Sequence, residues 1–453
     1  MNFTRARLVS LTCLLLLPTL LVTQSSAAEN WPQFRGPQAS GVSTGTAPTK
    51  WNAVSGENIL WQTPLPGLGH ASPIVWGDKI YIATAVRPGA KSELKIGLYG
   101  SGDSYSEKEK HQWRLLCLDK ATGKVLWDKL ELEAVPRVER HTMATHCNST
   151  PATDGKRVVA MFGSEGVFCY DMNGGKIWSK DLGKLRAAPM DAPELQWGFA
   201  SSPVLYDDKV VVQVDTATEQ FLTVFDATDG RELWRRPRKD SGTWCTPLVA
   251  KASGRTQVIA NGWKEIGGYD FMSGEPFWWL SEGGDVPVAS PIAAGDSVIL
   301  TSGHGKVRPM RRVLLNATGD IKPSDISLTN RAVVWVHPRK GNYLQTPIVV
   351  GDKVWGCSND GIVTCFDFVS GTINYEERIG GGGQGFTSSP VSAGGNLYFT
   401  GEQGDVFVIP VSEKFSVVAT NKLGGICLAT PAISDGTMFY RTTENLIAVG
   451  GRK

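Results

Sequence analysis

The sequence has almost no net charge. Its 46 Lys and Arg stand against 44 Asp and Glu, and loss of Arg5 and Arg7 with a leader would leave none. A nucleic-acid partner, which needs a basic stripe, is thereby excluded. Long hydrophobic runs are also lacking. Leu8 to Val22 is the longest, it is broken by Pro18, and it is short for a membrane span of about 20 residues. Lying between Arg5/Arg7 and Ser26-Ala27-Ala28, it reads as a secretory signal over residues 1–28. The expectation is an exported protein, periplasmic or extracellular, with no transmembrane segment in the mature chain.

Catalytic signatures are missing too. There is no Cys-x-x-Cys-His, no His-Glu-x-x-His, no nucleophile elbow and no phosphate-binding glycine loop. Haem attachment, zincin chemistry, α/β-hydrolase chemistry and P-loop nucleotide binding lose their usual markers. Cysteine is sparse, with seven beyond the leader, and an odd number leaves at least one thiol unpaired. Cys117, Cys169 and Cys365 each lie two residues before a repeated Asp and are expected to be small buried packing residues. Cys357 and Cys365 look across one hairpin and are the one plausible disulfide.

What is present is repetition. A small residue, Ser or Thr, and Pro recur eight times: Ala71-Ser72-Pro73, Ser149-Thr150-Pro151, Ser201-Ser202-Pro203, Cys245-Thr246-Pro247, Ala289-Ser290-Pro291, Gln345-Thr346-Pro347, Ser388-Ser389-Pro390 and Ala429-Thr430-Pro431. Only Gln345 is large. Each copy leads into an apolar hairpin such as Ile74-Val75-Trp76-Gly77-Asp78-Lys79-Ile80-Tyr81. The tightest proline spacings, 41, 43 and 44 residues, match the period of a four-stranded propeller blade. A second phrase runs from Asp through a turn closing on Gly to Trp: Asp119, Gly123, Trp127; Asp171, Gly174, Trp178; Asp226, Gly230, Trp234; Asp270, Gly274, Trp278. Such a turn suits a bulged hairpin.

Together the two phrases predict an all-β chain, an eight-bladed β-propeller of four-stranded antiparallel blades. The last repeat lacks a fourth strand, and Ile59-Leu60-Trp61-Gln62-Thr63 precedes the first repeat without a blade of its own. That early strand should complete the last blade, closing the ring and removing an open edge. The domains read as a signal peptide over 1–28, an irregular lead-in over 29–57 and the propeller over 58–453. Two aromatics in Trp31-Pro32-Gln33-Phe34-Arg35-Gly36-Pro37 suggest that the lead-in packs on the propeller.

Pro belongs on an edge strand, so the first strand of each blade is placed innermost, lining the channel. The long polar loops fall on one face, which should carry function. Its channel mouth is lined by the residues three before each Pro: His70, Asn148, Ala200, Trp244, Val288, Leu344, Thr387 and Leu428. With Trp197, Tyr343, Asp285 and His304 nearby, this face is the expected site for a protein, a peptide or a small amphipathic ligand, with Trp244 as its floor. A monomer is expected. His141, His146 and Cys147 form a second constellation, since imidazole and thiolate suit zinc or copper.

The Asp119-x-x-Thr122-Gly123-x-x-x-Trp127 phrase and its echoes resemble the repeat of pyrroloquinoline quinone (PQQ) type propellers, over nearly the whole mature chain. The Trp31-to-Pro37 lead-in is similar to that of exported members in planctomycete-type bacteria. The family includes calcium- and PQQ-dependent alcohol dehydrogenases as well as non-catalytic scaffolds. For a dehydrogenase, the resemblance implies Trp244 under the quinone, Asn261 toward calcium and cofactor, Asp285 as general base, and Arg311 and Arg312 on the quinone oxygens. Those two arginines are placed in the blade 5 loop between its second and third strands. Glu165 and Glu194 are the candidate calcium carboxylates. The adjacent Cys-Cys pair of some members is absent. The leading expectation is an exported, non-catalytic binding or scaffold module with no cofactor. The alternative is a PQQ- and calcium-dependent dehydrogenase of an alcohol or sugar.

Overall fold

Runs of Val, Ile, Tyr and Phe alternating with small residues and punctuated by Gly/Asp turns fold as short antiparallel strands. A computed structural model describes residues 1, 28–98 and 102–451; the signal-peptide reading and Cys13 lie outside the described residues. The chain forms eight four-stranded sheets, each an antiparallel meander, one of them extended by a fifth strand. In blade 1 the strands A to D are Ile74–Trp76, Lys79–Val86, His111–Asp119 and Val125–Ala134. Blade 8 takes A, B and C from Ala432–Ser434, Thr437–Arg441 and Asn445–Val449, and D from Ile59–Pro64. Ile59 pairs with Val449 and Thr63 with Leu446, with a bulge between Ile59 and Trp61. The ring closes as the unpaired strand required.

The core is a series of apolar layers between neighbouring blades rather than one centre. Val159, Met161 and Cys169 of blade 2, for example, pack with Val210, Val212 and Phe225 of blade 3. The repeated Trp and Gly belong to these layers. Trp178 and Trp234 of strand D lie on the turn glycines of the next blade, where a Cβ on Gly230 or Gly274 would come within 2.7 Å of the indole. The indole N–H groups of Trp61, Trp178, Trp234 and Trp335 then donate to the carbonyls of Lys120, Ala227, Phe271 and Phe368 in the next blade, at 2.9–3.1 Å. Each tryptophan is thus a dowel between blades. Blade 5 departs from the rule. Its turn segment Gly319–Asp320 pairs in parallel with Trp278–Trp279 and widens blade 4 to five strands.

All seven cysteines in the described residues are buried and free. The Cys357–Cys365 pairing is incorrect: Cys357 lies opposite Val363, and Cys365 opposite Trp355. The register puts the two cysteines two residue pairs apart.

The lead-in crosses the base of the ring. Trp31 exchanges backbone hydrogen bonds with Val75 of blade 1, and Pro32 O accepts from Thr153 N–H of blade 2. Arg35 is fully buried, and its guanidinium donates to the carbonyls of Thr346, Pro347 and Pro390, where blades 6 and 7 converge. With no carboxylate to compensate it, burial pulls the Arg35 pKa down to about 9. Val42 bridges to Ser392 of blade 7.

Candidate functional site

A Pro leads into the innermost strand of every blade, and the residue before that Pro has an N–H with no ladder partner on the inner side. The hydroxyl of the next blade supplies one. Ser72 N–H donates to Thr150 Oγ1, Thr150 to Ser202, Ser202 to Thr246, Thr246 to Ser290, Ser290 to Thr346, Thr346 to Ser389 and Ser389 to Thr430, all at 2.9–3.0 Å. Seven junctions are closed by this hydroxyl belt. At the eighth, Arg441 Nη1 of blade 8 donates to Ala71 O and Ala83 O of blade 1, at 2.8 and 2.6 Å. The repeated Ser/Thr is therefore a blade-to-blade link, and the small residue before it lets the backbones converge.

Within the belt is an axial cavity of about 830 Å³. Phe34 of the lead-in faces it from the base, and all eight belt residues line its wall. So do all eight residues three before the prolines, from His70 to Leu428. Gly97, Leu98 and Gly102 of the long blade 1 excursion reach over the other end, where Gly97 N–H donates to Glu402 Oε2 of blade 7.

One wall is aromatic. Trp244 is nearly buried and donates from its indole to Gly198 O at 2.7 Å. Trp197 stacks obliquely on it, ring centres 5.5 Å apart, and His141 meets Trp197 edge-on at 5.4 Å. Opposite in sequence order, His304 Nδ1 lies 3.1 Å from Asp285 Oδ2 and packs on Tyr343 at 5.1 Å. Burial pushes the Tyr343 phenol up to about 12 and pulls the His70 imidazole down to about 4, so His70 is neutral at pH 7. His70 Nε2 contacts Met143 O at 2.8 Å, and Asn148 ties Thr145 to Phe199 O.

No lysine or arginine lines the cavity among the described residues, and the one carboxylate on its wall is Glu402. Glu402 is buried, with its oxygens engaged by Gly97 N–H and Thr387 Oγ, both at 2.7 Å. Sequence reasoning missed Glu402, because an isolated acid in a short turn carries no pattern. The aromatics of the lead-in are expected to pack on the propeller, but nothing in the sequence says that Phe34 borders the axial cavity.

Several sequence-based placements are corrected. Arg311 and Arg312 lie in strand C of blade 5 (Met310–Leu314), not in a loop. Arg311 is buried and donates to Glu282 O at 2.7 Å, while the alternation of the strand sends Arg312 outward, 4.4 Å over the Phe368 ring of blade 6. Asn261 is fully engaged in structure. Its amide donates to Ala289 O and Thr301 O of blade 5, the same kind of clamp that Arg441 makes at the ring closure. Glu165 ends a 3-10 turn, Gly163–Glu165, within blade 2 and accepts from Arg137 N–H at 3.0 Å. His141, His146 and Cys147 do not converge either. Cys147 is buried in the apolar layer between blades 1 and 2, where burial raises its thiol to about 12. His141 goes to Trp197, and His146 faces Glu107 and His111.

Eight four-stranded blades around an axial cavity, four of them with Asp–Gly–Trp turns, define a propeller of PQQ-like repeats. The family described as outer membrane protein assembly factor BamB matches residues 39–183, 111–377 and 222–450, and the chain belongs to it. No curated protein matches the sequence. Among solved structures, BamB from Moraxella catarrhalis superposes with a TM-score of 0.53 at 14% identity, over 81% of this chain and 98% of its own. A europium-containing methanol dehydrogenase superposes with a TM-score of 0.60 at 12% identity, over 91% and 89%. At such identities these likenesses describe the fold alone. No helix in the described residues is long and apolar enough to cross a membrane.

Proposed function

We propose that the chain is an exported, monomeric binding module whose axial cavity takes an amphipathic ligand that is neutral or cationic, such as an aromatic or basic segment of a partner peptide or protein. The observation that carries this reading is the make-up of the wall. It offers Trp244 and Trp197 on one side, a hydroxyl belt at depth, Glu402 as its carboxylate, and no lysine or arginine among the described residues. An aromatic face adjoining convergent polar groups is the usual signature of a recognition site.

The PQQ suggested by the family is a quinone bearing three carboxylates. Desolvating such an anion without cationic partners is costly, and the wall does not fit it: Arg312 points away, Asn261 is committed to blade 5, and Arg311 binds Glu282 O. The dehydrogenase alternative retains one favourable observation, that Trp244 and the His304 of the His304–Asp285 pair border the same cavity. No reaction step is derived through the quinone.

The test pairs two probes on the full chain. PQQ with calcium is expected to give neither a rise in melting temperature nor dye-linked alcohol oxidation, whereas a bound cofactor must stabilise the native state. Peptides selected from a random display library are expected to be rich in aromatic, Lys and Arg residues. They should quench tryptophan fluorescence and lose binding in Trp244→Ala. PQQ-dependent turnover, or selection of acidic peptides, would overturn the proposal.

A further inference from the structure

Away from the axial cavity, one buried cluster has more electron-rich atoms than its hydrogen bonds account for. Glu107 and His111 come from the end of the blade 1 excursion, and His146 from the loop entering blade 2. Their side chains are only 1%, 1% and 6% exposed. One ligand atom from each lies within 4.8 Å of the others. Glu107 Oε1, His111 Nε2 and His146 Nε2 are all buried and all without a hydrogen-bond partner.

The tautomer of His111 sharpens the problem. Its Nδ1 is 3.0 Å from Glu109 O. A carbonyl only accepts, so Nδ1 carries the proton and Nε2 of the neutral ring presents a bare lone pair. That lone pair faces Glu107 Oε1 across 3.7 Å, too far for a hydrogen bond even if the ring were protonated. His146 Nε2 stands 2.9 Å from Glu107 Oε2, yet without hydrogen-bond geometry. Three such atoms meeting out of water repel one another unless a cation lies between them.

We propose that Glu107, His111 and His146 bind a single divalent transition-metal ion of the zinc class. Two imidazoles and a carboxylate are a zinc donor set, and ligand atoms on a tetrahedral zinc, bonded at about 2.0–2.2 Å, lie roughly 3.3–3.6 Å apart. The 3.7 Å from His111 Nε2 to Glu107 Oε1 is close to that spacing, and the three ligand atoms all lie within 4.8 Å of one another. The surroundings fit as well. The Glu109 carbonyl orients the His111 ring, as outer partners of metal-bound histidines do. Arg140 is buried and donates from Nε to Glu107 Oε2 at 2.8 Å, leaving Oε1 for the ion. Its remaining nitrogens donate to Ala144 O and Glu93 O at 2.8 Å. Three protein ligands leave a fourth position for water. An ion here would pin the excursion that reaches over the cavity to the loop that enters blade 2. The site is independent of what the cavity binds.

The full chain, stripped with chelator and titrated with Zn²⁺ by calorimetry, should take up one ion. Co²⁺ in its place should give the intense visible band of a tetrahedral site. His111→Gln and His146→Gln should each weaken uptake by on the order of a hundredfold or more, while His337→Gln, on strand D of blade 5, should leave it intact. The cobalt band needs no variant, so a variant that fails to fold does not blur the result. No stoichiometric uptake and no band in the wild-type chain, or uptake surviving in the His111/His146 double variant, would overturn the proposal.

Discussion

Replacing Thr346 by valine keeps the shape of the side chain and removes one link of the hydroxyl belt. Thr346 Oγ1 accepts the Ser290 N–H at 3.0 Å, and the two residues are 2% and 5% exposed. Leaving a buried N–H without an acceptor costs about 1–3 kcal/mol. Water entering from the axial cavity can replace the hydroxyl in part, which moves the expectation toward ~1 kcal/mol. Valine regains nothing, because its new methyl takes the place of Oγ1 against the Ser290 N–H. The urea midpoint of Thr346→Val should therefore fall, and that of Thr346→Ser, which keeps the oxygen, should fall less. Hydrogen exchange gives the local reading, since the Ser290 amide should lose protection in the valine variant and keep it in the serine variant. A valine variant with an unchanged midpoint and an unchanged Ser290 amide would refute the view that the repeated Ser/Thr holds blades together.

Gly230→Ala should destabilise by about 2–4 kcal/mol in urea unfolding, because Gly230 has a φ of +73° and its new Cβ would fall 2.7 Å from Trp178. The Glu165 carboxyl is pushed by burial from 4.5 up to about 7. Its folded form holds a proton that the unfolded chain releases, so its contribution is complete below 4.5 and lost as pH rises through about 7. Glu165→Gln should therefore flatten a fall in the urea midpoint between about pH 5 and about pH 8, a fall worth at most ~3 kcal/mol and less for a partly exposed group. Thiol titration should find none of the seven cysteines reactive in the native chain and all seven after denaturation without reductant; a shortfall would reveal a bridge.

The ring and its closure were legible because each strand repeats in a fixed order, and a missing strand in blade 8 needs a supplier. The wall positions three before each Pro were legible for the same reason. What repetition does not report is orientation within an irregular blade. Arg312 and Arg311 differ by one residue and by one face of a strand, and blade 5 has too long a path to Trp335 for the pattern to set that face. Asn261 is implied as a ligand by the resemblance to the dehydrogenases, yet its amide is consumed by Ala289 O and Thr301 O. His146 drew notice beside His141 and Cys147, its neighbours in sequence. Its neighbours in space, Glu107 and His111, sit at the end of an excursion that has no period to read.

The lead-in beneath the ring sets the order of assembly. Arg35 finds its acceptors 311 to 355 residues further along the chain, and Glu29 N–H donates to Asp435, 406 residues away. Contacts so distant in sequence are entropically expensive and slow to form. On synthesis, blades 1 to 5 can stack as they emerge, but the lead-in has nothing to grip on its far side until blades 6 to 8 exist, and the Ile59–Pro64 strand must wait for Asn445–Val449. Trp31 and Pro32 can seat on blades 1 and 2 early, but the Arg35 contacts and the Ile59–Pro64 strand can form only once the last blades exist.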